Sequence, residues 1–206
     1  MSDAPALDLG SMTIGAYLER LAAAVPVPGG GTVAGVTLAQ ANALGSMVAG
    51  YAIGKPKFAA HDAAHRVAHA AFERGRGRAL ELAGEDARAY GRLNALWKLP
   101  KDDPARAGFG EAVLAAIAAP EATVALALET VAALEALVGT TSPSLASDLR
   151  IALDLAAAGA LAAQENVRIN LPSVADEALR AGISARTEAL LADATRRASQ
   201  ARQRLG

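Results

Sequence analysis

Residues 25–54 read VPVPGGGTVAGVTLAQANALGSMVAGYAIG, thirty positions without one charged side chain. Proline disfavours helix in the residue before it, so Pro26 and Pro28 end any preceding helix. Gly29, Gly30 and Gly31 follow, and Thr32 has the side chain of an N-cap. From Val33 to Ile53 the composition is helical. Gly35, Ala39 and Ala43 recur every fourth residue as a smooth stripe for close packing. The stretch is long enough to span a bilayer. Its Pro and Gly start and its Thr37, Gln40, Asn42 and Ser46 fit better a helix enclosed by other helices. Three glycines at a helix start also expose N–H groups at a positive helix end, a place for carboxylate or phosphate. They are followed by no Walker Lys-Ser/Thr and preceded by no strand of a dinucleotide fingerprint. The same glycines serve equally as a tight packing corner.

Helical spacing extends to both sides of this stretch, and period-two alternation is almost absent. A first helix is predicted over Thr13–Ala24, with Ile14, Tyr17, Leu18 and Leu21 on one face. Gly54-Lys55-Pro56 is a turn. A long helix follows from about Phe58 to Leu99, stopped by Pro100. Pro104 suits the first turn of a fourth helix that reaches Val138, with a kink expected at Pro120. A fifth runs from about Ser144 to Ile169. Ser173 through Asp176 resembles a capping box that opens a last helix to about Leu205, whose Arg196, Arg197, Arg202 and Arg204 suit its negative end. The expectation is an all-α bundle of about six helices, several of them long, packed antiparallel in up-down order within a single domain, residues 1–206.

Composition narrows the function. The chain has 206 residues, 20 Lys+Arg against 21 Asp+Glu, 52% hydrophobic and 20% charged residues. The near-balanced charge argues against a nucleic-acid binder, and the apolar content against disorder. With no cysteine there is no disulfide, thiolate metal site or Cys nucleophile. Aromatic residues are only 3%, so Ala, Leu and Val must build the core. Met1–Ser11 lacks the basic and apolar regions of a signal peptide; the expected location is the cytoplasm, with no membrane partner. His61 and His65 stand at helical metal-ligand spacing, extended by His69. A third ligand is missing and Lys57, Arg66 and Arg74 are cationic neighbours, so an exposed helix face is expected, with no metal.

A series of motifs then resembles the cyclodeaminase/cyclohydrolase family. They are Val25–Thr32, Ser46-Met47-Val48, Ile53–Lys57, Asp86-Ala87-Arg88-Ala89-Tyr90, Leu99-Pro100-Lys101, Ser147-Asp148 and Asn166–Leu171, in that order. The resemblance covers the chain from about Ile14 to the last helix. It implies an all-α, usually dimeric enzyme of one-carbon folate metabolism with no metal or redox cofactor. Such enzymes hydrolyse 5,10-methenyltetrahydrofolate to the 10-formyl form, or expel ammonia from 5-formiminotetrahydrofolate to make the methenyl ring. Two segments depart from the family pattern: Tyr51-Ala52 stands where Leu-Thr is common, and Gly139–Pro143 lacks a Gly-Asn. These departures motivate one alternative, a family member that binds folate without turning it over; composition alone favours another, a structural helical dimer or interaction module.

Site expectations follow from the resemblance and from helix rise. Asp86, then Asp148, are the carboxylates that could stabilise a methenyl cation and deprotonate water. Without the resemblance, Asp86 reads as a surface partner of Arg88, Arg92 or Arg106. Gly29, Gly30, Gly31, Thr32, Tyr90, Ser147, Asn166 and Asn170 are the expected substrate contacts, the two asparagines offering donors and acceptors to a pterin edge. Lys55 and Lys57 could bind a glutamate tail. Counting from the Lys55-Pro56 turn places Gly30 level with about Asp86, with the lysines roughly 35 Å away. Asp148 and Asn166 lie about 27 Å apart on one helix. The motifs thus form two groups; either a folate stretches between them or, as the favoured expectation, an antiparallel homodimer brings the lysine end of one subunit to the glycine end of the other.

Overall fold

The computed structural model describes residues 8–206; residues 1–7, on which the reading of the N-terminus partly depends, lie outside them. Among the described residues there are six α-helices and no strand. They are α1 (Ile14–Ala22), α2 (Gly30–Ala52), α3 (Asp62–Trp97), α4 (Phe109–Glu135), α5 (Ala146–Asn170) and α6 (Glu177–Gln203). Short 3₁₀ turns precede α3, α4 and α5 and follow α5. The ends of the expected fourth helix shorten accordingly: Pro104 opens a 3₁₀ turn, and α4 starts at Phe109 and stays helical past Pro120, with only that residue's hydrogen bond interrupted.

Helices α2, α3, α4 and α5 form a ring in which each packs on the next, and α6 lies in the groove between α4 and α5. α2 and α3 make an antiparallel hairpin. Gly31 meets Asp86, Gly35 meets Ala83, Asn42 meets Gly75, and Gly45 meets Phe72. Ser46 Oγ donates to Glu73 Oε1 at 2.7 Å. The small-residue stripe sets the spacing: a Cβ at Gly35 would lie 2.7 Å from both the Ala79 carbonyl oxygen and Ala83 Cβ. The hairpin turns at Gly54, whose φ of +72° belongs to the left-handed region that glycine enters freely. Its N–H donates to Asp62 Oδ1 at 2.6 Å. Phe72, Leu38, Leu82, Leu134 and Leu153 are fully buried in the core between these helices. Arg197 of α6 pairs with Glu135, and Arg202 reaches Asp154 at 3.2 Å, so the basic tail holds α6 on its neighbours. Such part-exposed pairs contribute little individually.

Several local expectations change. Thr32 is not the N-cap of α2; Gly29 is, and Thr32 lies inside the helix, fully buried, with its hydroxyl unpartnered. The last helix is capped by Asp176 alone, whose Oδ1 accepts the Leu179 N–H at 3.0 Å. The apolar face of α1 is only partly covered: Ile14 is 78% and Leu18 53% exposed, while Tyr17 and Leu21 are half-buried. The helix that meets a membrane-span criterion by length and composition is α4 with the turn before it (104–135), not α2; half of its apolar window is buried in the bundle. The histidine stripe is not an exposed face throughout. His65 is fully buried, its Nε2 3.1 Å from Thr140 Oγ1, and burial lowers its pKa below the usual imidazole value.

Gly35→Ala should destabilise the bundle by about 1–3 kcal/mol, the usual effect of overpacking a tight contact. Urea unfolding checks this; an unchanged midpoint would mean that α2 and α3 are not pressed together there.

Candidate functional site

The start of α2 and the middle of α3 converge on one corner. Gly29 is the N-cap, with no side chain to satisfy the first turn. The N–H groups of Gly30, Gly31 and Thr32 therefore point out of a positive helix end without intrahelical acceptors. Asp86 lies directly over Gly31. A Cβ at position 31 would fall 2.2–2.3 Å from all three carboxyl atoms of Asp86, so a side chain there would displace the carboxyl group. Asn166, on α5, closes the other side: a Cβ at Gly30 would sit 3.4 Å from its Oδ1. Asn166 Nδ2 donates to the Ala162 carbonyl at 2.8 Å. Three helices thus deliver a carboxylate, an amide and a bare helix start to one place.

Asp86 is 9% exposed as a residue. Among the described residues, no side-chain cation pairs with it. Arg88 is exposed, Arg92 reaches Glu111 at 3.7 Å, and Arg106 donates to the Leu99 carbonyl at 3.1 Å. The surface ion pair considered for Asp86 therefore does not form. Burial without a cation or a hydrogen-bond donor penalises the charged form, and the Asp86 carboxyl is pushed up to about 6. A carboxyl with that value holds both protonation states near neutral pH, as proton transfer requires. Nothing in the local sequence announces its isolation, since three arginines stand within reach along the chain.

Tyr90 follows Asp86 by one turn of α3 and is half-buried. Its ring meets that of Trp97 edge-on at 6.4 Å, and Trp97 meets Phe109 at the same distance. Tyr90 is an expected contact, whereas Trp97 and Phe109, which extend it into an aromatic edge, were not among the expected site residues; the spacing of Asp86, Tyr90 and Trp97 on one helix face carries the signal. Asn170 is 3% exposed and turns its Nδ2 inward, to the carbonyls of Asn166 at 2.9 Å and Ala116 at 3.4 Å. Gln164, also unexpected, is fully buried on α5 with neither amide atom partnered.

The other group stands at the far end of the bundle. Lys55 and Lys57 are exposed at the α2–α3 turn, with Lys57 Nζ 5.5 Å from the centre of the Phe58 ring. Ser147 and Asp148 occupy the first turn of α5, exposed and half-buried. The contact of His65 with Thr140 brings the segment before α5 to this end. Tyr51 is here too, 62% exposed. Asp148 is therefore apart from Asp86 within one subunit, and both departures from the family pattern lie away from the carboxylate corner.

Comparison with known proteins gives a consistent result. The profile of the family described as formiminotransferase-cyclodeaminase matches residues 13–189. The formimidoyltransferase-cyclodeaminase of Sus scrofa is 31% identical over 194 residues, 92% of this chain and 36% of that protein. The chain thus spans about a third of the length of the mammalian relatives it matches. The methenyltetrahydrofolate cyclohydrolase of Methylorubrum extorquens is 31% identical over 193 residues, 90% of this chain and 91% of that one. The crystal structure of formiminotetrahydrofolate cyclodeaminase from Thermotoga maritima superposes with a TM-score of 0.85 at 25% identity, covering 94% of this chain and 97% of that one.

The raised Asp86 pKa predicts a pH-dependent stability difference. An aspartate whose folded pKa, about 6, exceeds its ordinary value of 3.8 loses stability as pH rises through that window. Asp86→Asn removes the loss. The variant should match the wild type near pH 4 and be more stable at pH 7, by roughly 2–3 kcal/mol for a shift of this size. Urea unfolding at both pH values measures it; equal stability at pH 7 would place the carboxylate in a solvated or paired setting.

Proposed function

The chain belongs to the formiminotransferase-cyclodeaminase family, and from that premise we propose that it is a one-carbon folate enzyme with its reacting centre at Asp86. It hydrolyses 5,10-methenyltetrahydrofolate to 10-formyltetrahydrofolate, or closes 5-formiminotetrahydrofolate to the methenyl form with loss of ammonia. The observation that carries this reading is a nearly buried, unpaired carboxylate set on a bare helix start beside an asparagine amide.

In hydrolysis the methenyl carbon, bonded to N5 and N10, carries delocalised positive charge. The Asp86 carboxylate attracts that cation more strongly in a half-dry corner than it would in water. It takes a proton from the water whose oxygen bonds to the methenyl carbon. The C–N5 bond then breaks, N5 receives the proton from Asp86, and the formyl group stays on N10. The other hydroxyl proton leaves to solvent, so one proton is released per turnover. The free N–H groups of Gly30 and Gly31 suit the new oxygen, and Asn166 suits the pterin edge. In ring closure N10 attacks the formimino carbon and its proton passes to the former imino nitrogen; protonated Asp86 supplies the second proton, the C–N bond breaks, and ammonia leaves with the methenyl cation behind. No metal or redox cofactor enters either direction.

A homodimer follows from the separation of the two groups. An antiparallel pair of subunits brings the Lys55–Lys57 end of one to the glycine corner of the other, where the lysines meet the glutamate end of the substrate. The charge-free exposed side chains of α2, Met47 and Tyr51, support this, as do Ile151 and Leu161 on the neighbouring α5. The balanced charge and the burial of much of α4 support a soluble, cytoplasmic enzyme without nucleic-acid or membrane partners.

The near-ultraviolet absorbance of 5,10-methenyltetrahydrofolate, followed against its spontaneous hydrolysis, tests the activity. Protein-dependent loss of the chromophore establishes the hydrolase, and its appearance from the formimino compound the deaminase. Silence in both directions returns the chain to a folate-binding or structural role. Asp86→Asn should lower kcat by at least about 100-fold, the usual scale for a general base. The wild-type kcat in hydrolysis should fall on the acid side of an inflection near pH 6, the value to which the carboxyl is pushed. Lys55→Ala should mainly raise KM for polyglutamylated substrate. Wild-type kinetics in both variants would remove these assignments. Sedimentation of the wild type as a monomer at micromolar concentration would remove the dimer.

A further inference from the structure

Pro120 lies inside α4. Proline has no N–H, so the carbonyl four residues earlier, that of Ala116, loses its helical donor. Ala116 is buried, where an unpaired carbonyl is unfavourable. The replacement donor comes from another helix: Asn170 Nδ2, 3.4 Å away, on the last residue of α5. The same nitrogen is 2.9 Å from the Asn166 carbonyl oxygen. One buried amide thus joins the break in α4 to the turn of α5 that presents Asn166 to Gly30. Its position leaves the Asn170 Oδ1 buried without a partner, so the side chain is held by donation alone.

We propose that Pro120 and Asn170 form a single device, and that Asn170 is a positioning residue. By capping the carbonyl that Pro120 frees, it fixes the end of α5 and keeps the Asn166 amide in place over the glycine corner. Asn170 acts through Asn166 and does not itself touch the substrate. The step from Asn166 to substrate rests on the folate reading above; the mechanical link between the helices does not.

The chemistry supplies its own suppressor. Pro120→Ala restores an N–H one turn beyond Ala116, so the carbonyl no longer needs Asn170. The test uses Asn170→Ala, Pro120→Ala, the double variant, and Val131→Ala as a control that loosens the fully buried core of α4 elsewhere. Well below Tm, Asn170→Ala should speed amide hydrogen exchange across residues 30–33 and 163–170 by at least tenfold. It should raise KM several-fold while the inflection near pH 6 stays where Asp86 sets it. Val131→Ala should lower Tm without either change. In the Pro120→Ala background the Tm loss caused by Asn170→Ala should fall by half or more. Additive Tm losses would break the link between Pro120 and Asn170. Equal effects of Val131→Ala on exchange and KM, or unchanged exchange in Asn170→Ala, would overturn the positioning role. If the wild type acts on neither folate, the reading of the function fails, and exchange and Tm still decide the device.

Discussion

The carboxyl group of Asp86 pressed against Gly31 is the contact on which the rest of the site depends. It holds its place only with glycine at the start of α2, because any Cβ there would occupy the carboxyl group's own volume and push it aside. It fixes the register of the α2–α3 hairpin at the end opposite its turn. It also strips water from an ionisable group without offering a counter-charge, which turns an ordinary aspartate into one that changes protonation near neutral pH. Burial that disfavours the charged form is unfavourable for folding at neutral pH, and the close packing of small residues along the same two helices offsets it.

Much of this was legible in the sequence because helix rise is a ruler. The turn at Lys55-Pro56, counted outward in both directions, put Gly30 level with Asp86, and the structure pairs Gly31 with Asp86. The same ruler separated Asp148 from Asn166. Helix number and order followed from prolines, glycines and three-and-four spacing, which are local properties. What remained hidden depends on neighbours that spacing cannot identify. His65 reads as one of three histidines on a polar face, yet the segment 139–142 covers it. The apolar side of α1 reads as core, yet it is covered only in part, with Ile14 and Leu18 left exposed. Arg88, Arg92 and Arg106 look like partners for Asp86, and each is turned elsewhere.

The asparagines illustrate the same limit within the site. Asn166 and Asn170 are one turn apart and chemically equivalent on paper. Asn166 is half-buried and faces the glycine corner; Asn170 is buried and faces the interruption that Pro120 makes in α4. A proline on one helix and an amide 50 residues later answer one another, a pairing that only the fold reveals. The two ends of the bundle raise the matter of scale. Groups about 35 Å apart along a helix pair cannot share one pterin ring, which is the reason for the proposed antiparallel dimer.

The central claim is that Asp86 is a dry, unpaired carboxylate. Its most direct measurement is the titration of the Asp86 side-chain carboxyl by carbon-13 NMR, assigned by its disappearance in Asp86→Asn. The structure predicts an inflection near 6, well above that of an ordinary aspartate. An inflection at or below 4 would mean that water or a cation reaches the group, and would contradict the account.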